Sequence, residues 1–197
     1  WITDHTGTIR IATKTDGTDQ VMYYRATGKE PFKEHLRTGF KDSFQPLFFT
    51  FDNKNLYVSS NLNGRDKTAI VEWDIPGKKE IKEIYADPDY DVDGLSYSRK
   101  RNVLTMVTWT GEKSERKFLD PETQAMYEKL GAQMNGYEYW VYGNNDNEDK
   151  FMVWAGNDRM PGKYWFYDAT TDKTREMATL YPDLKEEDLA EMKPITY

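Results

Sequence analysis

The 197-residue sequence contains no cysteine, so neither disulfides nor thiolate chemistry can contribute to its fold or function. It also lacks a surplus of basic residues. Its formal net charge is −7, which argues against nucleic acid as a partner because phosphate binding needs a basic surface. No apolar run is long enough to predict a membrane span, and no signal peptide opens the chain. A cytoplasmic protein and a processed periplasmic or secreted protein both fit these features, so the compartment stays open.

Aromatic residues are abundant, at 15% of the sequence, which suits half-buried β-strands. Apolar residues that each begin a short β-rich stretch recur at intervals of 47, 48 and 48 residues. A repeat of roughly 40–50 residues built from several strands is typical of a β-propeller blade. The sequence therefore predicts an all-β fold with about four four-stranded blades. The recurring positions are Ile9, Leu56, Leu104 and Met152.

Turn residues divide the blade pattern into four units that together form a predicted partial propeller over residues 1–180. These units cover residues 1–42, 43–90, 91–136 and 137–180. Units two and four each contain four predicted strands, whereas units one and three keep three clear strands. The predicted strands are Thr8–Thr13, Gln20–Arg25, Phe32–Thr38, Pro46–Phe51, Leu56–Ser60, Ala69–Asp74, Glu80–Tyr85, Val92–Ser98, Val103–Trp109, Glu115–Leu119, Tyr137–Tyr142, Phe151–Gly156, Lys163–Asp168 and Thr174–Leu180, and the end of one more strand lies at Trp1.

Two helices are predicted outside this pattern. An inserted helix begins after Asp120 as the N-cap, with Pro121 at its first position, and we expect it to end at Gly131. Asp183 and Glu186 have the spacing of a capping box and predict a helix near the C-terminus. Residues 181–197 therefore read as a helix and a linker, and residues 195–197 as an extended strand.

Propeller blades bury their faces against neighbouring blades, so four blades must either close as a small ring or belong to a larger ring. The first unit keeps only the end of its innermost strand, at Trp1, as if the sequence began inside a fold. This favours the second alternative, about half of a seven- or eight-bladed ring.

Four segments, taken in order, carry a family resemblance. They read ADPDYDV at Ala86–Val92, FLDPE at Phe118–Glu122, PGKYWFYD at Pro161–Asp168 and LAEMKPITY at Leu189–Tyr197. With these segments the chain resembles the N-terminal β-propeller of the prolyl-oligopeptidase (S9) family of serine peptidases, of the dipeptidyl-aminopeptidase or acylaminoacyl-peptidase type. In that family the propeller is followed by an Arg-Asp-Gly segment and an α/β-hydrolase domain, and the sequence stops just short of such a segment.

The resemblance implies a non-catalytic propeller that restricts the access of substrates to the active site of a peptidase. It implies two partners, an α/β-hydrolase domain of the same parent chain and peptide substrates. The catalytic Ser, Asp and His of the family have no counterpart in this sequence, so we predict no catalytic residue. A stand-alone propeller that binds a protein or carbohydrate is the alternative. Peptide specificity and homo-oligomer formation stay open.

The residues with hydrolytic potential do not form a convincing triad in the sequence. Gly94–Ser98 reads GLSYS and nearly matches G-x-S-x-G, but its last residue is Ser and it lies within a strand pattern. Ser96 is therefore not predicted to be a nucleophile. The sequence has two histidines, His5 in a turn and His35 in an outer strand, and we expect both to be exposed.

Binding motifs are similarly incomplete, so no metal or cofactor is predicted. The segment Asp87–Gly94 imitates the start of a calcium loop, but Lys100 occupies the position where such a loop needs Glu. We interpret it as a turn between blades. Asn144–Asp149 reads as a solvated hairpin loop, and Gly64–Thr68 lacks the features of a phosphate loop. The aromatic pairs and runs at Tyr23–Tyr24 and Tyr164–Tyr167 are expected to serve packing.

Overall fold

The computed structural model describes residues 1–195, and within them the chain forms four antiparallel β-sheets in sequence order. Thr196 and Tyr197, which belong to the predicted extended end, lie outside the described residues. Three sheets have four strands and the third has three. The strands are β1 (Ile2–Thr3), β2 (Ile9–Asp16), β3 (Asp19–Tyr24) and β4 (Lys33–Thr38); β5 (Phe44–Phe49), β6 (Leu56–Ser60), β7 (Ala69–Asp74) and β8 (Lys79–Tyr85); β9 (Val92–Ser98), β10 (Val103–Thr110) and β11 (Ser114–Phe118); and β12 (Glu138–Asn144), β13 (Lys150–Asn157), β14 (Met160–Asp168) and β15 (Lys173–Thr179).

Each sheet is a simple meander in which consecutive strands pair, which is the topology of a propeller blade. The predicted all-β blade architecture is confirmed. Strands β6 and β7 begin and end where the sequence predicts, whereas β5 begins at Phe44 rather than Pro46. Pro46 is tolerated because β5 is the edge strand of its sheet, where a missing N–H breaks no ladder.

The chain divides into two compact units. The first compact unit contains residues 1–96 and 106–117, and the second contains residues 97–105 and 118–197. No helix of the described residues combines the length and apolarity needed to cross a membrane. The domain boundary predicted from the sequence, with a partial propeller over residues 1–180 and a linker segment over residues 181–197, stays a prediction.

The core of the first compact unit lies between its first two sheets. Apolar side chains of β2 and β3 interdigitate with those of β5, β6 and β7, because alternate residues of each strand point to the shared interior. Ile11, Phe49 and Leu56 are completely buried there. Burying side chains of this size stabilises the fold by about 1.5–3 kcal/mol each. The central residues of the cluster are Ile11, Met22, Phe44, Phe49, Leu56, Val58, Ala69, Val71, Trp73 and Ile75.

In the second compact unit, the inserted helix α1 (Pro121–Gln133) packs against the fourth sheet. Leu130 and Met134 join Phe151, Val153 and Tyr167 in a second buried cluster. The predicted start of α1 is confirmed, since the Asp120 side chain accepts the backbone N–H of Thr123.

The predicted end of α1 at Gly131 is wrong, because the helix continues to Gln133 and is capped by Met134. A Cβ atom at Gly131 would lie 2.5 Å from the hydroxyl oxygen of Tyr139. The glycine is therefore needed for close packing rather than for ending the helix. The chain turns away at Asn135 and Gly136, which have positive φ values.

The predicted C-terminal α-helix is also wrong. Among the described residues of this tail there is one 3₁₀ turn at Glu186–Asp188, and the residue before it, Lys185, makes no side-chain cap. Leu184 and Met192 are 48% and 78% exposed and Leu189 is only half-buried, so the apolar residues of this segment do not form a buried face that would stabilise a helix. Short helices without tertiary packing are marginal in water, which explains why the capping-box spacing of Asp183 and Glu186 is not sufficient.

Candidate functional site

A cleft of about 580 Å³ opens in the first compact unit. It lies between strands β2–β4 of the first sheet and the beginning of β5, beneath the connection formed by residues 39–43. We call it the inter-sheet cleft. Its apolar lining consists of Ile2, Val21, Met22, Leu36, Phe44 and Pro46. A volume of this size is typical of sites for small organic ligands.

Part of the lining of the inter-sheet cleft is polar. Hydroxyl and amide groups of Thr13, Gln20, Thr38 and Gln45 line it, and Thr38 is only 4% exposed. Among the described residues that form the lining, Asp42 is the only ionisable one. Within residues 1–195, its carboxylate has no direct ion pair and accepts no hydrogen bond, although the ammonium of the neighbouring Lys41 lies at the rim of the cleft.

The connection above the cleft is held in place by Asn61, which directly follows β6. The Asn61 side-chain oxygen accepts the backbone N–H of Ser43 at 2.6 Å, and its side-chain nitrogen donates to the Lys41 carbonyl at 3.3 Å. The backbone N–H of Asn61 also donates to the Ser43 carbonyl at 3.2 Å. The backbone on both sides of Asp42 is therefore anchored to Asn61.

Phe40 forms the outer rim of the cleft and is 79% exposed. The ammonium group of Lys41 lies 5.8 Å from the centroid of its ring. An ammonium at this distance from a ring face is attracted by the ring quadrupole. The rim thus presents an aromatic surface beside a free carboxylate. Nothing in the sequence repeat marks this site, because it depends on the spacing between two sheets.

Ser96 lies inside strand β9 and is half-buried. The chain continues as strand to Ser98 and then enters β10, so the local structure is strand–turn–strand rather than the strand–turn–helix of a nucleophile elbow. Gly94 is explained by packing, because a Cβ atom there would lie 1.8 Å from Oγ1 of Thr108. The absence of catalytic residues from this chain stays a prediction.

The prediction that both histidines are exposed is wrong, because both are half-buried. Nε2 of His5 lies 2.9 Å from the carbonyl oxygen of Phe49. His35 packs edge-on against Tyr24, and its Nε2 is buried without a hydrogen-bond partner. Burial, reinforced by the positive charge of Lys78, lowers the pKa of His35 below its usual value.

The first part of the acidic segment, Asp87–Asp91, lies in the connection between β8 and β9, as predicted, whereas Asp93 and Gly94 already belong to β9. Its carboxylates bind backbone groups: Asp87 accepts the N–H groups of Asp89 and Tyr90, and Asp91 accepts the N–H of Thr68 at 2.7 Å. Among residues 1–195, no three acidic or histidine side chains converge as metal ligands. The segment is therefore organised by its own hydrogen bonds.

The other two loop motifs are also structural. Asn144–Asp149 connects β12 to β13, where the Asn145 side chain accepts the N–H groups of Asp149 and Lys150. Arg65, from the Gly64–Thr68 loop, forms an ion pair with Glu80 at 2.5 Å and with Glu83 at 3.0 Å. These pairs raise the pKa of Arg65 and lower that of Glu80. The loop leads into strand β7 and not into a helix.

Among the aromatic residues singled out in the sequence, those that lie in the interior take part in packing. Tyr167 is 1% exposed, stacks on Phe151 and donates its hydroxyl to Asp172 at 2.8 Å. Burial and this contact raise its pKa to about 12. Tyr24 lies over the guanidinium of Arg10 at 5.4 Å.

No model of a known protein family matches the chain, and no curated protein sequence matches it. Solved structures of prolyl oligopeptidases do match. A prolyl endopeptidase is similar over 89% of this chain, with 14% identity and a TM-score of 0.55. Prolyl oligopeptidase B from Galerina marginata is similar over 94% of this chain, with 13% identity and a TM-score of 0.55.

These matches cover 25% and 27% of the two peptidases, so this chain spans about a quarter of their length. At such low identity the likeness shows the fold alone. It agrees with the sheet topology, and together they show that the chain has the fold of β-propeller blades with an inserted helix.

Proposed function

We propose that this chain is the non-catalytic, substrate-gating propeller portion of a serine peptidase of the prolyl-oligopeptidase (S9) family. The single observation that supports the proposal best is the fold likeness to two prolyl oligopeptidases over 89% and 94% of the chain. The four ordered segments from Ala86 to the C-terminal tail support the same family. We propose further that this peptidase is of the dipeptidyl-aminopeptidase or acylaminoacyl-peptidase type.

The mechanism follows from the rigidity of packed blades. Closely packed sheets that bury a continuous core do not separate easily, so blades above an active site admit an extended peptide and reject a folded protein. The partners in this proposal are an α/β-hydrolase domain of the same polypeptide, which supplies the nucleophile, and peptide substrates. In this proposal the propeller excludes folded proteins and supplies no group to the hydrolysis itself.

The first experiment tests whether this chain is catalytically silent. The purified 197-residue protein is treated with a fluorophosphonate probe, which reacts with activated serines, and its intact mass is measured. We expect no adduct above that of heat-denatured protein. A stoichiometric adduct that disappears in a Ser96→Ala variant would show that this chain is itself a hydrolase.

The second experiment tests gating on the complete product of the gene that encodes this chain. The value of kcat/KM is measured for peptides of increasing length that share one cleavage site. A folded protein that carries the same site is the largest substrate of the series. We expect kcat/KM to fall steeply with length and to vanish for the folded protein. A length-independent kcat/KM would contradict gating. Comparing free with acetylated N-termini then distinguishes the dipeptidyl from the acylaminoacyl type.

A stand-alone binding propeller is the alternative, and the inter-sheet cleft is the observation that favours it. This alternative requires that the reading frame contain no hydrolase-sized extension with a G-x-S-x-G motif. It also requires that the protein form a monodisperse closed ring that binds a protein or carbohydrate. Sequencing the gene on both sides of this chain separates the two proposals directly.

A further inference from the structure

We propose that the inter-sheet cleft binds a small organic cation, with a primary ammonium group on an apolar and preferably aromatic body. This inference is independent of the proposed peptidase role, since it rests on the cleft alone. The cleft volume of about 580 Å³ accommodates a molecule of this kind with room for bound water.

The apolar body would lie on the inner wall of the cleft. Met22, Leu36 and Phe44 face the space between the sheets, and Met22 and Phe44 are 3% and 9% exposed. An apolar group placed against them is removed from water at a gain of about 25 cal/mol per Å² of surface buried.

The charge of the ligand follows from Asp42. It is the only ionisable residue that lines the cleft, and its carboxylate makes no ion pair or hydrogen bond within the described part of the chain. Among the described residues that line the cleft there is no Lys, Arg or His, and Lys41 at the rim is the neighbouring cation. A cation at the mouth therefore gains a charge-assisted hydrogen bond, whereas an anion meets like charge.

The remaining donors of an ammonium group also find acceptors. Thr38, Gln20 and Gln45 also line the cleft with groups that can accept a hydrogen bond, and the Gln20 side-chain oxygen already accepts the Thr15 hydroxyl at 3.4 Å. Phe40 adds an exposed ring face at the rim, where a cation is favoured over a neutral group. The ammonium of Lys41 lies 5.8 Å from the centroid of this ring, so it would compete with the ligand for the ring face.

The experiment compares three probes of similar size by isothermal titration calorimetry: 2-phenylethylamine, 2-phenylethanol and 3-phenylpropionate. We expect the amine to bind most tightly, the alcohol more weakly and the carboxylate not measurably. Equal affinity of amine and alcohol, tightest binding of the carboxylate, or no binding of any probe would each overturn the proposal.

Variants locate the interaction. Asp42→Asn should weaken binding of the amine about tenfold and leave the alcohol unchanged, since one charge-assisted hydrogen bond is lost. Asp66→Asn makes the same chemical change at a residue whose side chain is 90% exposed and outside the cleft, and it should change nothing. Lys41→Met should strengthen binding of the amine. Unchanged amine affinity in Asp42→Asn would refute the assignment.

Methyl NMR provides the second measurement. The methyl signals of Ile2 and Met22, which line the cleft, should shift on addition of the amine, whereas that of Met177 on the fourth sheet should not. Saturable shifts confined to residues outside the cleft would place the amine elsewhere and overturn the proposal.

Discussion

The guanidinium of Arg101 holds the carboxylate of Asp120 through two hydrogen bonds, from Nη1 at 2.9 Å and from Nη2 at 2.7 Å. The same carboxylate caps helix α1, because it accepts the backbone N–H of Thr123 at 2.8 Å and its hydroxyl at 2.6 Å. One side chain therefore joins the β9–β10 turn to the start of the inserted helix.

Replacing Asp120 with Ala should lower the free energy of unfolding by about 2–3 kcal/mol, since it removes both the helix cap and the acceptor for Arg101. Asp120→Asn keeps a capping oxygen and should cost about half as much. The measurement is urea denaturation followed by circular dichroism. Glu122→Gln is the matched control, because Glu122 also lies near Arg101 but is 75% exposed, and it should cost less than about 0.5 kcal/mol. Equal losses for Asp120→Ala and Glu122→Gln would contradict this role.

Acid should weaken the same junction. The hydrogen bonds from Arg101 and Thr123 hold the pKa of Asp120 well below its usual value of 3.8, although burial opposes them. At pH values below 3.8, Asp120 binds a proton in the unfolded chain but stays ionised in the folded chain until its lowered pKa is reached. The stability contributed by Asp120 is therefore present above this window and is lost as the pH falls through it. Urea titrations between pH 6 and pH 2 should show a smaller loss for Asp120→Asn than for the unchanged protein. If the free energy of unfolding fell in parallel with pH for the unchanged protein and for Asp120→Asn, the lowered pKa of Asp120 would not contribute to acid sensitivity.

The local sequence signals that succeeded are those that need no distant partner. The turn residues around β6 and β7 predict both strands to the residue, and Asp120 with Pro121 predicts the start of α1. Gly131 failed because its role is to admit the Tyr139 hydroxyl, a contact that sequence spacing does not reveal. The helix expected after Asp183 failed for the converse reason, since its capping signal has no buried face to support it.

The candidate site was less predictable than the fold. The inter-sheet cleft arises where the first sheet and β5 separate, and neither strand pattern encodes that distance. His35 alternates in β4 as an exposed residue would, yet it is half-buried and packs edge-on against Tyr24 of β3. Its burial thus depends on its surroundings in the fold and not on its own sequence segment.

In the first compact unit, the largely buried cation of Arg10 contacts several neighbouring groups. The guanidinium of Arg10 lies 4.7 Å from the Phe49 ring, and it donates to the Asn53 carbonyl at 2.8 Å and to the Tyr24 hydroxyl at 2.5 Å. Its side chain is 11% exposed, and Asp4, at 3.6 Å, is 8% exposed.

Replacing Arg10 with Met should lower the free energy of unfolding by about 3–5 kcal/mol, because it leaves the buried Asp4 carboxylate without its counter-ion. Arg10→Lys keeps the charge but not the planar fork, so it should lose an intermediate amount. Chemical denaturation monitored by tryptophan fluorescence measures both. Arg159→Met is the control, since Arg159 is exposed and makes one long contact of 3.3 Å with the Glu186 carbonyl. If Arg10→Met and Arg159→Met cost the same, Arg10 does not tie the two sheets together.

Gly94, the glycine that begins the G-x-S-x-G-like sequence, should be required for packing. Gly94→Ala places a Cβ atom against Oγ1 of Thr108 and should lower the free energy of unfolding by about 1–3 kcal/mol. Thr108→Ala removes the obstructing hydroxyl, so the double variant should lose less than the sum of the single losses. Gly39→Ala is the control, because no atom lies within 4 Å of its added Cβ. Strict additivity in this cycle would mean that Gly94 is not there to make room for Thr108.

His35 should make the stability of the chain depend on pH near neutrality. Burial first, and the charge of Lys78 second, lower the pKa of His35 below 6.5, and its buried Nε2 has no partner to accept or supply a proton. Between the folded pKa and 6.5 the unfolded chain binds the extra proton, so stability is full above 6.5 and falls as the pH decreases through this window.

Two measurements check this dependence. His35→Gln should flatten the stability profile between pH 7.5 and pH 5, as measured by urea denaturation, because glutamine does not titrate. Lys78→Met should raise the pKa of His35, since the repelling charge is removed while the alkyl chain is kept. An NMR titration of the imidazole C–H signals follows this change, with His5→Gln used to assign the two histidines. A His35 signal that titrates at the same pH in the unchanged protein and in Lys78→Met would show that the turn between β7 and β8 does not control this group.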